Sequence, residues 1–275
     1  AARWQVIAGG AVSSGNAVIC PPQGRLTLQS GVPVMMSTQS SKTTLIYTLY
    51  VGNQIPIYDG SNMVPTAFAE LSIATTDTTH NPAAIGASKV NDWFVWNDGG
   101  TLRLSHGPDW TNDTTRSTGT ALVRVNGIWL NNAAITNGPA ASRGTYVGTT
   151  RSDASSQLNW ILGGASAGGT AAVLGVWNAY NRVQVATAVS DSTPLWSDSS
   201  ATFRPFNNST NNRISYVCGL TEDMQFVSLF VTGRMAAAGG YMDIGWALNA
   251  TNARNSPLLE IYAGSYAASI QTTVS

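Results

Sequence analysis

Asp92-Trp93-Phe94-Val95-Trp96, then Asn97-Asp98-Gly99-Gly100, then Thr101-Leu102-Arg103-Leu104-Ser105, decide how this chain reads. A run rich in aromatic and β-branched residues and a run of alternating polar and apolar ones flank residues that tolerate positive φ. That is the pattern of two antiparallel strands joined by a four-residue turn. A second hairpin follows at 121–125 and 128–130, whose Asn126-Gly127 loop is the favoured two-residue type I′ connection. Working outward, further strands are expected at 25–28, 44–51, 54–58, 145–149, 157–162, 172–177, 182–188, 201–204, 213–219, 226–232, 240–248 and 258–262. No long amphipathic helix interrupts them. The best helical candidate, residues 66–73, is one or two turns long, and residues 81–88 offer another short turn after Pro82. The expected fold is therefore all-β: a β-sandwich or jelly-roll-like main region over 76–275, a small N-terminal β unit over 25–75, and an extended arm over 1–24.

Only 10% of the 275 residues are charged, against about 25% in ordinary soluble domains, and Ser, Thr, Asn and Gly take their place. Lys42 and Lys89 are the only lysines, so nearly all positive charge is arginine, which favours fixed bidentate or stacked contacts. The formal net charge is zero, with no basic run, which argues against nucleic acid or an anionic membrane as partner. The longest apolar stretches, at 128–130 and 171–177, are too short to span a bilayer, so no membrane insertion is expected. Ala1-Ala2-Arg3-Trp4 reads as a terminus left after removal of an initiator methionine, without an export signal. Cys20 and Cys218 lack metal-ligand spacing and read as buried free thiols, with one long-range disulfide as the alternative.

The stretches Pro22-Gln-Gly-Arg-Leu-Thr-Leu28, Ser30-Gly-Val-Pro-Val-Met35, Tyr47-Thr-Leu-Tyr-Val-Gly52 and Ile55-Pro-Ile-Tyr-Asp-Gly60 form a set with later landmarks. These are Trp96-Asn-Asp-Gly99, Gly107-Pro-Asp-Trp110, Arg124-Val-Asn-Gly-Ile128, Asn137-Gly-Pro139, Arg143-Gly-Thr-Tyr-Val-Gly148 and Val176-Trp-Asn-Ala-Tyr-Asn-Arg-Val183. Over about residues 22–220 the set resembles bacteriophage virion structural proteins of the fibre, spike or decoration type. The resemblance implies a β-rich particle component, assembled in the host cytoplasm, with other virion proteins as partners, a homotrimeric state and no catalytic residues.

Residue chemistry offers competing readings. Ser105-His106-Gly107-Pro108-Asp109 could be drawn as a nucleophile, base and orienting acid, but adjacent loop residues rarely reach that geometry. A polysaccharide-degrading appendage needs two carboxylates about 5–9.5 Å apart across a sugar. Glu70, Glu222 and Glu260 are far apart in sequence, and Glu222-Asp223 is the least turn-like acidic pair. Asp109-Trp-Thr-Asn-Asp113 and Asp191-Ser-Thr193 supply clustered oxygen ligands suited to calcium, without the full loop signature. The small-residue runs 163–169 and 235–240 permit close backbone approach but lack the lysine of a phosphate cradle. No cofactor, metal site or enzymatic activity is expected. The pool for recognising a host surface glycan is Trp110, Trp129, Trp177, Tyr180, Trp196 and Trp246, of which most are expected in the core.

Overall fold

A computed structural model describes residues 20–194, 196–197, 199–200, 202–221, 229–234, 241–245, 247, 259–262 and 269–274. Residues 1–19 of the expected arm, Trp246, Glu222-Asp223 and the run 235–240 lie outside them. The strands are β1 (Gly24–Thr27), β2 (Gln39–Lys42), β3 (Thr44–Leu49), β4 (Gln54–Tyr58), β5 (Met63–Ala67), β6 (Leu71–Ala74), β7 (Val90–Asp98), β8 (Thr101–His106), β9 (Leu122–Val125) and β10 (Ile128–Asn131). They continue as β11 (Thr145–Arg151), β12 (Leu158–Ser166), β13 (Thr170–Leu174), β14 (Val176–Asn178), β15 (Ala188–Asp191), β16 (Ile214–Tyr216), β17 (Leu229–Arg234), β18 (Tyr241–Ile244), β19 (Leu259–Tyr262) and β20 (Ser269–Val274). Among the described residues the only helical pieces are the 3-10 turns Thr118–Thr120 and Phe206–Asn208, so the chain is all-β.

The chain divides into two compact units. The first takes Ala1–Leu162, Val173–Ala186 and Ser215–Gly219; the second takes Gly163–Ala172, Thr187–Ile214 and Leu220–Ser275.

In the first unit, one antiparallel sheet has the order β1-β3-β6 and another the order β8-β7-β11-β10-β9, with β14 also paired to β11. Their apolar faces share one core of Leu26, Leu45 and Tyr47 from the smaller sheet and Trp93, Val95, Leu104 and Val147 from the larger. This is the arrangement of a β-sandwich. Strand β7 is buried from Val90 to Val95, as a central strand covered on both faces must be, so its sequence there is nearly continuous in bulk. Side chains alternate across the pleat, so Trp93 and Val95 enter the main core while Asp92 and Phe94 turn to the other face. The β4–β5 hairpin packs Tyr58 and Met63 onto Ile128 and Leu130. Asn178 acts as a surrogate strand partner for β1: its Oδ1 accepts the Leu26 N–H at 2.6 Å and its Nδ2 donates to the Leu26 carbonyl at 3.2 Å.

In the second unit, the Gly163–Ser166 portion of β12 runs parallel to β15, and β17–β20 and β18–β19 form antiparallel pairs.

Several expectations require correction. The turn between β7 and β8 is two residues long. Asp98 pairs with Thr101, Gly99 and Gly100 take φ of 57° and 102°, and Asn97 Oδ1 accepts the Gly100 N–H. Residues 66–73 form no helix, because Thr66 and Ala67 end β5 and the chain resumes as β6 beside β3. Phe68 is fixed between them by its ring contact with Tyr47 and its N–H bond to Asn53. Residues 81–88 are likewise irregular, held by Asn81, which accepts the His106 N–H and donates to Asp77. The expected strand at 182–188 is irregular until β15 begins at Ala188, and residues 202–204 form no strand. Gly175 splits the expected strand at 172–177 into the end of β13 and β14. The Asn126-Gly127 turn is as read, with φ of 49° and 85°.

Leu158 is fully buried in the first unit's core, so Leu158→Ala is expected to cost about 3 kcal/mol by lost transfer energy and a cavity. Val64→Ala, on an exposed strand position, is expected to stay within about 0.5 kcal/mol. Urea titration of both variants checks the contrast.

Candidate functional site

The most constrained polar group is Asp92, which is 0% exposed. Its carboxylate is gripped by Arg116, with Nε donating to Oδ2 at 2.8 Å and Nη2 to Oδ1 at 3.2 Å. The Thr149 hydroxyl donates to Oδ1 at 2.7 Å, and the Tyr146 hydroxyl lies 2.6 Å from that of Thr149. Burial raises the Asp92 pKa above the ordinary aspartate value, opposed by Arg116 and Thr149. Burial also works against the charge on Arg116, but the Asp92 carboxylate outweighs it and holds the guanidinium above its usual pKa. The same Arg116 lies over the Trp110 ring at 4.4 Å and donates to the Gly219 carbonyl at 2.5 Å. Arg116 therefore ties β7 and β11 to the chain's return at 215–219. A Cβ at Gly219 would collide with the Tyr146 and Thr149 hydroxyls and the Trp177 ring, so glycine is required there by space.

The Ser105, His106 and Asp109 side chains are turned to separate partners. Ser105 Oγ accepts the Trp96 indole N–H at 2.7 Å, while neighbouring His106 faces the opposite side of β8. His106 is 1% exposed, edge-on to Trp93, with Nδ1 2.7 Å from the Gly107 carbonyl and Nε2 3.0 Å from that of Ala83. Burial lowers its pKa, opposed by those carbonyls and by Asp109 and Asp77.

The oxygen-rich segment 109–113 is also committed elsewhere. Asp109 accepts from Asn91 and faces Lys89, and Asp113 forms a two-point pair with Arg151. Among the described residues no three His, Cys, Asp or Glu side chains converge as metal ligands. Glu70 accepts from the Ser30 hydroxyl and the Gly31 amide, and the Ser30 bond leads the contacts that lower its pKa. It borders a cleft of about 320 Å³ beside β6 and β8 that also takes in Asp77, His80 and Arg103. Cys20 and Cys218 are half-buried, and no disulfide joins them. Among the described residues no helix is long and apolar enough to cross a membrane.

The aromatic pool separates by burial. Trp110 lies under Arg116, and Trp177, buried, stacks obliquely on Tyr146 with Arg182 over its ring. Trp129 is half-buried beneath Arg124, and its backbone N–H donates to the Tyr180 hydroxyl at 3.1 Å. These four brace the framework of the first unit. Trp196, in the second unit, is 38% exposed and meets Phe206 edge-on at 5.9 Å.

Beside it is a net of amides and hydroxyls centred on Asp191. Its Oδ1 accepts the Gly168 and Thr193 N–H groups at 2.9 Å each, and its Oδ2 accepts Asn212 Nδ2 at 3.2 Å. Thr193 Oγ1 in turn accepts from Asn207 Nδ2 at 2.9 Å, and Asn212 Nδ2 also donates to the Phe206 carbonyl at 2.8 Å. The Thr193 hydroxyl and amide hold the Asp191 carboxyl well below the usual range, so it is ionised at neutral pH. Asp191 thus organises a loop cluster here with amides where a cation site would need further carboxylates. Sequence patterning singles out Trp196 and Asp191 but not their union with Phe206, Asn207 and Asn212. The one available signal is the turn-forming run Pro205-Phe-Asn-Asn-Ser-Thr-Asn-Asn212.

Comparison of the chain with protein-family models, with curated proteins and with solved structures finds no match.

Arg116→Met is expected to destabilise the protein by about 3–5 kcal/mol, because Asp92 is left charged and buried alone; adding Asp92→Leu should recover part of the loss in the same denaturation assay. Stability is also expected to fall with pH. The depressed folded-state pKa of His106 means that the unfolded chain takes up a proton below about 6.5 while the folded chain does not. The unfolding free energy should therefore decline between about pH 7 and 5, and His106→Gln should flatten that decline.

Proposed function

We propose that this chain is a non-catalytic structural protein of a bacteriophage particle, displayed at the surface as a fibre, spike or decoration component and contacting the host surface through its second unit. The particle assignment rests on the resemblance spanning residues 22–220. Most of its landmark stretches fall on β1, β3, β4, the β7–β8 and β9–β10 turns, β11 and β14 of the first unit, and 30–35, 107–110 and 137–139 fall on loops between strands. They are framework residues, and a shared framework is what a family of assembly proteins has in common.

The observation that carries the contact role is the exposed Trp196 beside the ordered Asp191–Asn212 net, an aromatic surface with fixed donors and acceptors around it. The low charge of the whole chain suits a protein that works by contact area. Strands β6, β8 and β9 end their sheets within the first unit, and a symmetric neighbour is one way to cover such edges. A homotrimer assembled from such contacts is the expected oligomer.

A cryo-EM map of the phage particle tests the reading. A few trimers projecting from a tail or vertex are expected. Many copies at capsid lattice positions would replace the host-contact role with shell reinforcement, and absence of the chain from the particle would overturn the reading. Light scattering of the purified chain should give a trimer mass, and a monodisperse monomer would contradict the assembly.

A further inference from the structure

We infer that the Trp196 surface is a binding site for a neutral glycan, with the Trp196 ring as platform for one sugar face and the Asp191–Asn207–Asn212 loop cluster as the polar rim. The inference rests on the host-contact reading above and names the ligand class. A pyranose offers two different surfaces: a face of C–H bonds, and an edge of hydroxyls that each donate and accept. The negative face of an indole attracts the first, and Trp196 presents its ring at the surface with Phe206 set edge-on against it at 70°. Amide side chains match the second, since each carries both a donor and an acceptor in fixed geometry.

The rim is ordered before any ligand arrives. Gly168 is held from three sides: its N–H by Asp191 and Thr193, and its carbonyl by Ser209 Oγ at 2.6 Å. Asn207 and Asn208 take φ of 52° and 51°, a conformation asparagine tolerates better than most residues, and Asn208 and Asn211 face solvent. Gly169 has no room for a side chain, because a Cβ would strike the Asn212 amide. Such preorganisation lowers the ordering cost of binding.

Charge selects among sugars. The group on which the net is built is a carboxylate held ionised, which disfavours an acidic sugar and accepts hydrogen bonds from neutral hydroxyls. Donors and acceptors for sugar hydroxyls are offered by the solvent-facing amides of Asn208 and Asn211 beside the net.

The test is an array of neutral and uronic-acid-containing oligosaccharides probed with the full chain, followed by calorimetric titration of the best binder. Binding of neutral oligosaccharides is expected, with affinity reduced about tenfold by Trp196→Ala and largely retained by Trp196→Phe. Both variants should remain folded at the titration temperature, as read by circular dichroism, so that a loss of affinity reports on the site. Neutral-glycan binding that survives Trp196→Ala would overturn this site while leaving the host-contact reading intact. Binding confined to acidic sugars, or none at all, would overturn the ligand class. The particle map decides the host-contact reading independently of all three.

Discussion

The ion pair between Asp92 and Arg116 is the constraint on which the first unit depends. A carboxylate at zero exposure carries a large desolvation cost, and it is tolerated only because a two-point guanidinium contact and the Thr149 hydroxyl meet it there. That commitment has structural consequences. Arg116 must reach inward from the loop before Thr118–Thr120, which sets its guanidinium over Trp110, and Nη2, besides meeting Asp92, donates to the carbonyl of Gly219. A segment more than 100 residues distant in sequence is thereby joined to the central strands, and Gly219 is obliged to be glycine by the hydroxyls it lies against. Replacement of the pair by apolar groups could keep the packing, but not the hydrogen bond that locates the 215–219 return.

The polar chemistry of the chain is divided between two uses. In the first unit, arginines lie on aromatic rings and on acids: Arg116 on Trp110, Arg124 on Trp129, Arg143 on Tyr58, and Arg151 on Asp113. These planar contacts are what a chain with two lysines can make and a lysine-rich one cannot. In the second unit, Asp191 gathers backbone N–H groups and asparagine amides into a rigid rim beside an exposed indole. The first arrangement commits these arginines to internal contacts; the second leaves the amides of Asn208 and Asn211 facing solvent.

Much of the fold was legible in the sequence, for reasons that individual elements make clear. The β7–β8 and β9–β10 hairpins were readable because glycine and asparagine mark positive φ at their turns. The span 66–73 misled because Ala67, Phe68, Glu70 and Leu71 carry helical spacing, while the decisive contacts, Phe68 on Tyr47 and β6 on β3, lie some twenty to thirty residues away. The strand expected at 182–188 failed for a related reason: alternating Val183 and Val185 suggest a strand, yet the paired segment lies beyond them at β15. For the candidate site, Trp196 was readable as one member of an aromatic pool. Its exposure, and the burial of Trp110 and Trp177, depend on long-range packing that no local pattern encodes.

Hydrogen–deuterium exchange of the native chain, followed in peptides covering β7, β11 and 214–220, measures most directly whether the Asp92–Arg116 pair holds the returning segment in place. The Val217 amide, bonded to the Leu174 carbonyl, should exchange as slowly as the amides of β7 and β11, and Arg116→Gln should speed exchange at 214–220 far more than at β10. Fast exchange at 214–220 in the unaltered chain, with β7 and β11 protected, would contradict the account.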